Sequence, residues 1–106
     1  MMTAQDRQIL DLFAKRVCAH FPEARIRAFG SRARGDATWE SDLDVCVVVE
    51  TLTREARNRI WDLAWEVGFA HGMVITATCF TTEAFEQGPM SESTLVLNIL
   101  REGVAA

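Results

Sequence analysis

The segment Phe29–Glu50, FGSRARGDATWESDLDVCVVVE, sets a Gly-Ser pair, two arginines and two alternate aspartates directly ahead of an apolar run. From Leu43 to Glu50 that run is β-branched and apolar on both faces after its first residues, which predicts a central strand sandwiched between layers. Just upstream, in ARIRAFG, Ile26 and Ala28 alternate with Arg25 and Arg27, which predicts a strand ending at Gly30. Downstream, Ala56, Ile60, Leu63, Ala64 and Val67 share one side of a helix expected from Thr53, its cap, to His71, with Gly72 as its stop. A third strand, MVITATCF, is expected over Met73–Phe80.

The flanks complete the pattern. Ile9, Leu10, Phe13, Val17 and Phe21 recur at three- and four-residue spacing, so a helix is expected over Thr3–His20, blocked by Pro22. A short helix is expected around Thr82–Phe85, then a breaker at Gly88 and Pro89, then a last helix from about Ser91 to Glu102 ended by Gly103. The order α-β-β-α-β-α-α describes an α/β domain of the α+β type, a small mixed three-stranded sheet covered by helices. If the first two strands pair antiparallel and the long helix returns the chain for a parallel third, one sheet edge collects the Gly-Ser turn, both aspartates and Met73–Thr76.

At 106 residues, 49% apolar and 25% charged, residues 1–106 read as a single soluble domain with one small core. A net charge of −4 argues against general nucleic-acid binding, which needs a broad basic surface, so any phosphate contact is expected to be local. Cys18, Cys46 and Cys79 are odd in number and far apart, which suggests neither disulfides nor a zinc site. His20 and His71 fall near helix ends without a ligand pattern around them. The chain lacks a signal-peptide pattern and a membrane-length apolar run, and a cytoplasmic location is expected.

Side chains two apart on a strand share a face, roughly 6–7 Å apart along the chain, so Asp42 and Asp44 should converge. Two such charges repel unless a cation or strong hydrogen bonding intervenes. Carboxylate oxygens suit Mg²⁺, which uses one or two protein carboxylates together with substrate phosphates. Gly30 would let backbone N–H groups approach phosphate oxygens, the Ser31 hydroxyl would add a donor, and Arg32 or Arg34 could contact terminal phosphates. Gly35 and Asp36 read as the loop's own turn, and Trp39 as packing against that turn, with stacking on a base as the alternative. Trp61 and Trp65, four apart, read as core or packing residues, with a partner surface as the alternative if they are exposed. The offsets of an EF-hand calcium loop are absent.

Gly30-Ser31, ten intervening residues and then Asp42-x-Asp44 opening an apolar strand together resemble the signature of the polymerase-beta-like nucleotidyltransferase superfamily, and the small size resembles its minimal nucleotidyltransferase branch. The resemblance runs through the third strand to LNILREGV, Leu97–Val104. It implies the nucleotidyltransferase fold, catalytic Asp42 and Asp44 holding two divalent metals (Mg²⁺ or Mn²⁺), and a nucleotide-phosphate site at Gly30 and Ser31. The implied reaction is in-line attack of an acceptor hydroxyl on the α-phosphorus of a nucleoside triphosphate, ATP above all, with loss of pyrophosphate. It further implies a helical HEPN-type protein partner, with this chain as antitoxin and a partner tyrosine as acceptor. Catalytic members carry a third carboxylate on the third strand, and the spacing from Gly72 places that position at Val74 or an immediate neighbour, where MVITATCF has no acid. Glu40 is a candidate substitute. The alternative is a catalytically impaired module that binds nucleotide or partner and regulates by contact.

Overall fold

The computed structural model describes residues 1–87 and 93–106. Strand β1, Arg25–Phe29, and strand β2, Leu43–Val49, pair antiparallel, with Phe29 opposite Asp44 and Ile26 opposite Val47. Strand β3, Ile75–Thr81, lies parallel to β2 on its other side, with Leu43 opposite Ile75 and Asp44 opposite Thr76. The sheet gains a fourth member that the sequence pattern did not announce. After helix α5, Thr94–Glu102, the two residues Val104–Ala105 form β4 and pair with Ala28 and Arg27, giving the order β3-β2-β1-β4. Two residues are too few to show an alternation, so only the tertiary pairing reveals the strand.

Strand β2 is covered on both faces, as its composition requires. Leu43, Val45, Val47 and Val49 point toward helix α1, Ala4–His20, and helix α3, Arg54–Ala70, in a core with Leu10, Phe13, Val17, Ile60 and Val67. Cys46 and Val48 point the opposite way, into a smaller cluster with Phe80, Phe85, Val96 and Ile99 beneath α5 and the short helix α4, Thr82–Glu86. Each fully buried valine here contributes roughly 1.5–3 kcal/mol, an upper estimate because the unfolded chain already hides some apolar surface. Burial on both sides also fixes the register, since a one-residue slip would turn the aspartates into the larger core.

The helix starts follow local chemistry. Thr3 accepts the Asp6 N–H at 3.1 Å, Thr53 the Ala56 N–H at 3.0 Å, Thr81 the Ala84 N–H at 3.0 Å and Ser93 the Val96 N–H at 3.1 Å. A β-carbon at Gly68 would strike the Met73 carbonyl, and its absence lets the chain fold tightly from α3 back to β3, which starts at Ile75 rather than Met73. The last helix begins at Thr94, while the expected breaker at Gly88 and Pro89 and the expected start at Ser91 lie outside the described residues. Cys18, Cys46 and Cys79 are free thiols, and burial pushes Cys46 up to about 12, far from a reactive range. No helix among the described residues is long and apolar enough to cross a membrane.

Trp61 and Trp65 do not enter the core. They are 50% and 68% exposed, and with Phe69 at 74% they form a row along the outer side of α3. The Trp61 indole N–H donates to the Ala77 carbonyl of β3, the outermost strand among the described residues, at 3.1 Å, and the Arg57 guanidinium stands 5.9 Å from its ring centroid. Ile60→Ala, at a fully buried neighbour on the same helix, is expected to cost about 2–5 kcal/mol in urea unfolding followed by circular dichroism. Trp65→Ala is expected to change stability by less than about 0.5 kcal/mol.

Candidate active site

Two structural elements meet at the mouth of β2. The chain leaves β1 at Phe29, turns at Gly30 with φ 76°, and continues as a one-turn helix, α2, over Gly30–Arg34. The Gly-Ser turn is therefore the start of a helix rather than an open loop. Gly35, at φ 85°, ends it with its N–H bonded to the Ser31 carbonyl, as its reading as a turn residue anticipated. Gly30 lies against the acids: a β-carbon there would sit 2.5 Å from Asp44 Oδ2. Any side chain at this position would carry both a strained backbone and a collision with the carboxylate.

Asp44 lies in the strand and Asp42 two residues before it, on the face that carries Cys46 and Val48. Their carboxylates are close enough to feel one another. Burial, and then the charge of Asp42, raise the Asp44 pKa above its ordinary value of 3.8, opposed by the positive charge of Arg34. Asp42 Oδ2 accepts a long hydrogen bond from Thr76 Oγ1 at 3.4 Å. In the parallel register Thr76 is the residue opposite Asp44, so the β3 position that faces the acids is Thr76, two residues beyond Val74. Val74 points to solvent at 62% exposure while its backbone carbonyl accepts the Leu43 N–H. The missing acid is thus a threonine, which leaves the conclusion standing: among the described residues no third aspartate, glutamate, histidine or cysteine joins the pair. Glu40 is exposed in the loop ahead of Asp42.

The two arginines part company. Arg32 turns away from the acids and commits its guanidinium to contacts within the fold. Nη1 pairs with both oxygens of Asp6 at 3.1 and 3.2 Å, Nε donates to the Ser41 carbonyl at 2.8 Å, and Nη2 donates to the Thr38 and Trp39 carbonyls at 3.3 Å each. Its expected side-chain contact to phosphate is therefore corrected: five donor contacts are already made, at a side chain 11% exposed. Arg34 is the arginine whose charge reaches Asp44. Its own partners are exposed, Asp36 at 3.2 Å and Glu102 of α5 at 3.0 Å, and these hydrogen bonds hold it more firmly protonated. Surface pairs of this kind are weak enough to exchange for a phosphate. Trp39 does not pack on its own turn but stands 87% exposed.

The donor set fits a divalent cation. Two hard carboxylates share one face at an open site, their mutual repulsion is only partly relieved within the protein, and a glycine leaves room beside one of them. A mixed sheet with such a pair opening its middle strand beside a Gly-Ser bend defines a nucleotidyltransferase-type domain. Residues 10–99 match the nucleotidyltransferase domain family, and the chain belongs to it.

Solved structures share the fold. The chain resembles one in the crystal structure of a toxin–antitoxin with AMP-PNP, at 22% identity and TM-score 0.60, over 94% of this chain and 70% of that one. It also resembles one in the structure of a tri-AMPylated Shewanella oneidensis HEPN toxin in complex with MNT antitoxin, at 19% identity and TM-score 0.57, over the same shares of 94% and 70%. A third likeness, to a point mutant of the toxin–antitoxin MntA-HpeT, has 23% identity and TM-score 0.60 over 91% of this chain and 69% of that one. Comparison with curated protein sequences returns no match.

The raised pKa of Asp44 has a direct consequence for stability. A carboxyl whose folded pKa lies above its unfolded value favours folding only while protonated, so its contribution is fully present below pH 3.8 and is lost as pH rises through the folded value. Without divalent cation, Asp44→Asn is therefore expected to melt above the native chain near neutral pH, by circular dichroism, and to melt with it at about pH 3.

Proposed function

We propose that the chain transfers a nucleoside monophosphate, AMP from ATP, onto a hydroxyl of a partner macromolecule. The observation that carries this reading is the juxtaposition of Asp42 and Asp44 with the Gly30 bend pressed against Asp44. Asp42 and Asp44 would hold Mg²⁺ or Mn²⁺, which when bound offsets phosphate charge at the attacking and leaving oxygens. The chain's own contribution is placement, which dominates phosphoryl-transfer catalysis. The Gly30 and Ser31 backbone N–H groups and the Ser31 hydroxyl receive the phosphate chain, and Arg34 supplies the nearby positive charge. Thr76 can orient Asp42 but cannot take the acceptor's proton at neutral pH, so that proton passes to a group outside β3.

A protein acceptor suits this small domain. The row of Trp61, Trp65 and Phe69 is exposed apolar surface of the kind that partners cover. The structural likenesses include HEPN toxin–antitoxin complexes, which supports a helical HEPN-type partner with this chain as antitoxin. Thr76 in place of an acid favours a second reading, a module that binds nucleotide and regulates without transfer.

Incubation with ATP, Mg²⁺ and a HEPN-type protein is expected to add the mass of one or more AMP groups to that protein, and Asp44→Ala is expected to abolish the addition. Calorimetric ATP binding that depends on Mg²⁺, is lost in Asp42→Ala and is accompanied by no mass change would select the second reading. Absence of nucleotide binding under either condition would exclude both.

A further inference from the structure

Asp44 is held by the ladder of β2, whereas Asp42 precedes the strand: the peptide plane that follows it is tied to β3, where the Leu43 N–H donates to the Val74 carbonyl, and the plane that leads into it belongs to the loop. What fixes its backbone on that leading side is the loop before it. The Ser41 carbonyl, bonded by Arg32 Nε at 2.8 Å, belongs to the peptide plane that also contains the Asp42 nitrogen. Holding that oxygen therefore orients the plane from which Asp42 departs. The same guanidinium holds the Thr38 and Trp39 carbonyls, so one side chain gathers three carbonyls of a four-residue stretch. Within that stretch the Thr38 N–H also bonds Ser41 Oγ at 3.0 Å.

Arg32 is itself anchored. Asp6, in the first turn of α1 where a carboxylate is favoured by the helix dipole, meets Nη1 with both oxygens and is 4% exposed. The planar fork is what the loop requires: a lysine could satisfy Asp6 but could not reach three carbonyls at once.

We propose that Arg32, buttressed by Asp6, is a positioning residue for Asp42. By gripping the Thr38, Trp39 and Ser41 carbonyls it sets where Asp42 stands relative to Asp44, and so sets the affinity of the acid pair for divalent cation. The proposal rests on the reading of that pair as a metal site. It makes α1, which carries none of the acids of the pair, part of the apparatus that assembles the site.

Mn²⁺ binding to the full chain, followed by the electron paramagnetic resonance signal of the free ion at neutral pH well below the melting temperature, tests it. Arg32→Lys is expected to weaken Mn²⁺ binding about tenfold or more, in the range of changes to groups that orient metal ligands. Asp6→Asn, which keeps the carbonyl contacts, is expected to fall between that variant and the native chain, and it carries the test if Arg32→Lys unfolds. Phe85→Leu, in the cluster beneath α5, lowers the melting temperature without touching the loop and is expected to bind Mn²⁺ as the native chain does. Native affinity in folded Arg32→Lys, or equal weakening in Phe85→Leu, would overturn the positioning role alone. Absence of Mn²⁺ binding by the native chain would overturn the metal-site reading and this proposal with it.

Discussion

Two carboxylates are held near one another at the end of a buried strand, and most of the remaining structure can be understood from the need to keep them there. Their repulsion is paid for by the core: β2 is covered on both sides, and a strand fixed so firmly cannot slip or twist to carry Asp44 away from Asp42. Gly30 is the complementary concession, because only a residue without a side chain lets the preceding turn close against Asp44 Oδ2. The raised proton affinity of Asp44 reflects this placement, first through burial of its carboxylate and then through the charge of Asp42.

Legibility in the sequence followed the range of the interaction. The two-faced apolar character of β2, the threonine cap at Thr53 and the pairing of Gly30-Ser31 with Asp42-x-Asp44 are written in neighbouring residues, and the structure brings the Gly-Ser bend and the acids together. The role of Arg32 is not local. It depends on Asp6, 26 residues away, and on backbone carbonyls, which no residue identity reports. Likewise the β3 neighbour of the acids depends on a register, and counting from Gly72 stopped at Val74 where the pairing selects Thr76. The exposure of Trp39, Trp61 and Trp65 was equally hidden, since a tryptophan in a helix or loop looks the same whether it packs inward or awaits a partner.

Among the described residues Asp42 is exposed and Asp44 half-buried, and neither borders the larger concavities of about 310, 410 and 640 Å³. An acid pair on an open face offers charge and placement without the enclosing walls that usually orient a small molecule.

The central claim is that this acid pair, beside the glycine bend, is where divalent cation binds. Paramagnetic broadening of backbone amide resonances by substoichiometric Mn²⁺ measures this most directly. The account predicts selective loss of the signals of Gly30, Ser31, Asp42, Asp44 and Thr76, abolished in Asp42→Ala. Broadening centred on other acids, or unchanged by that substitution, would contradict it.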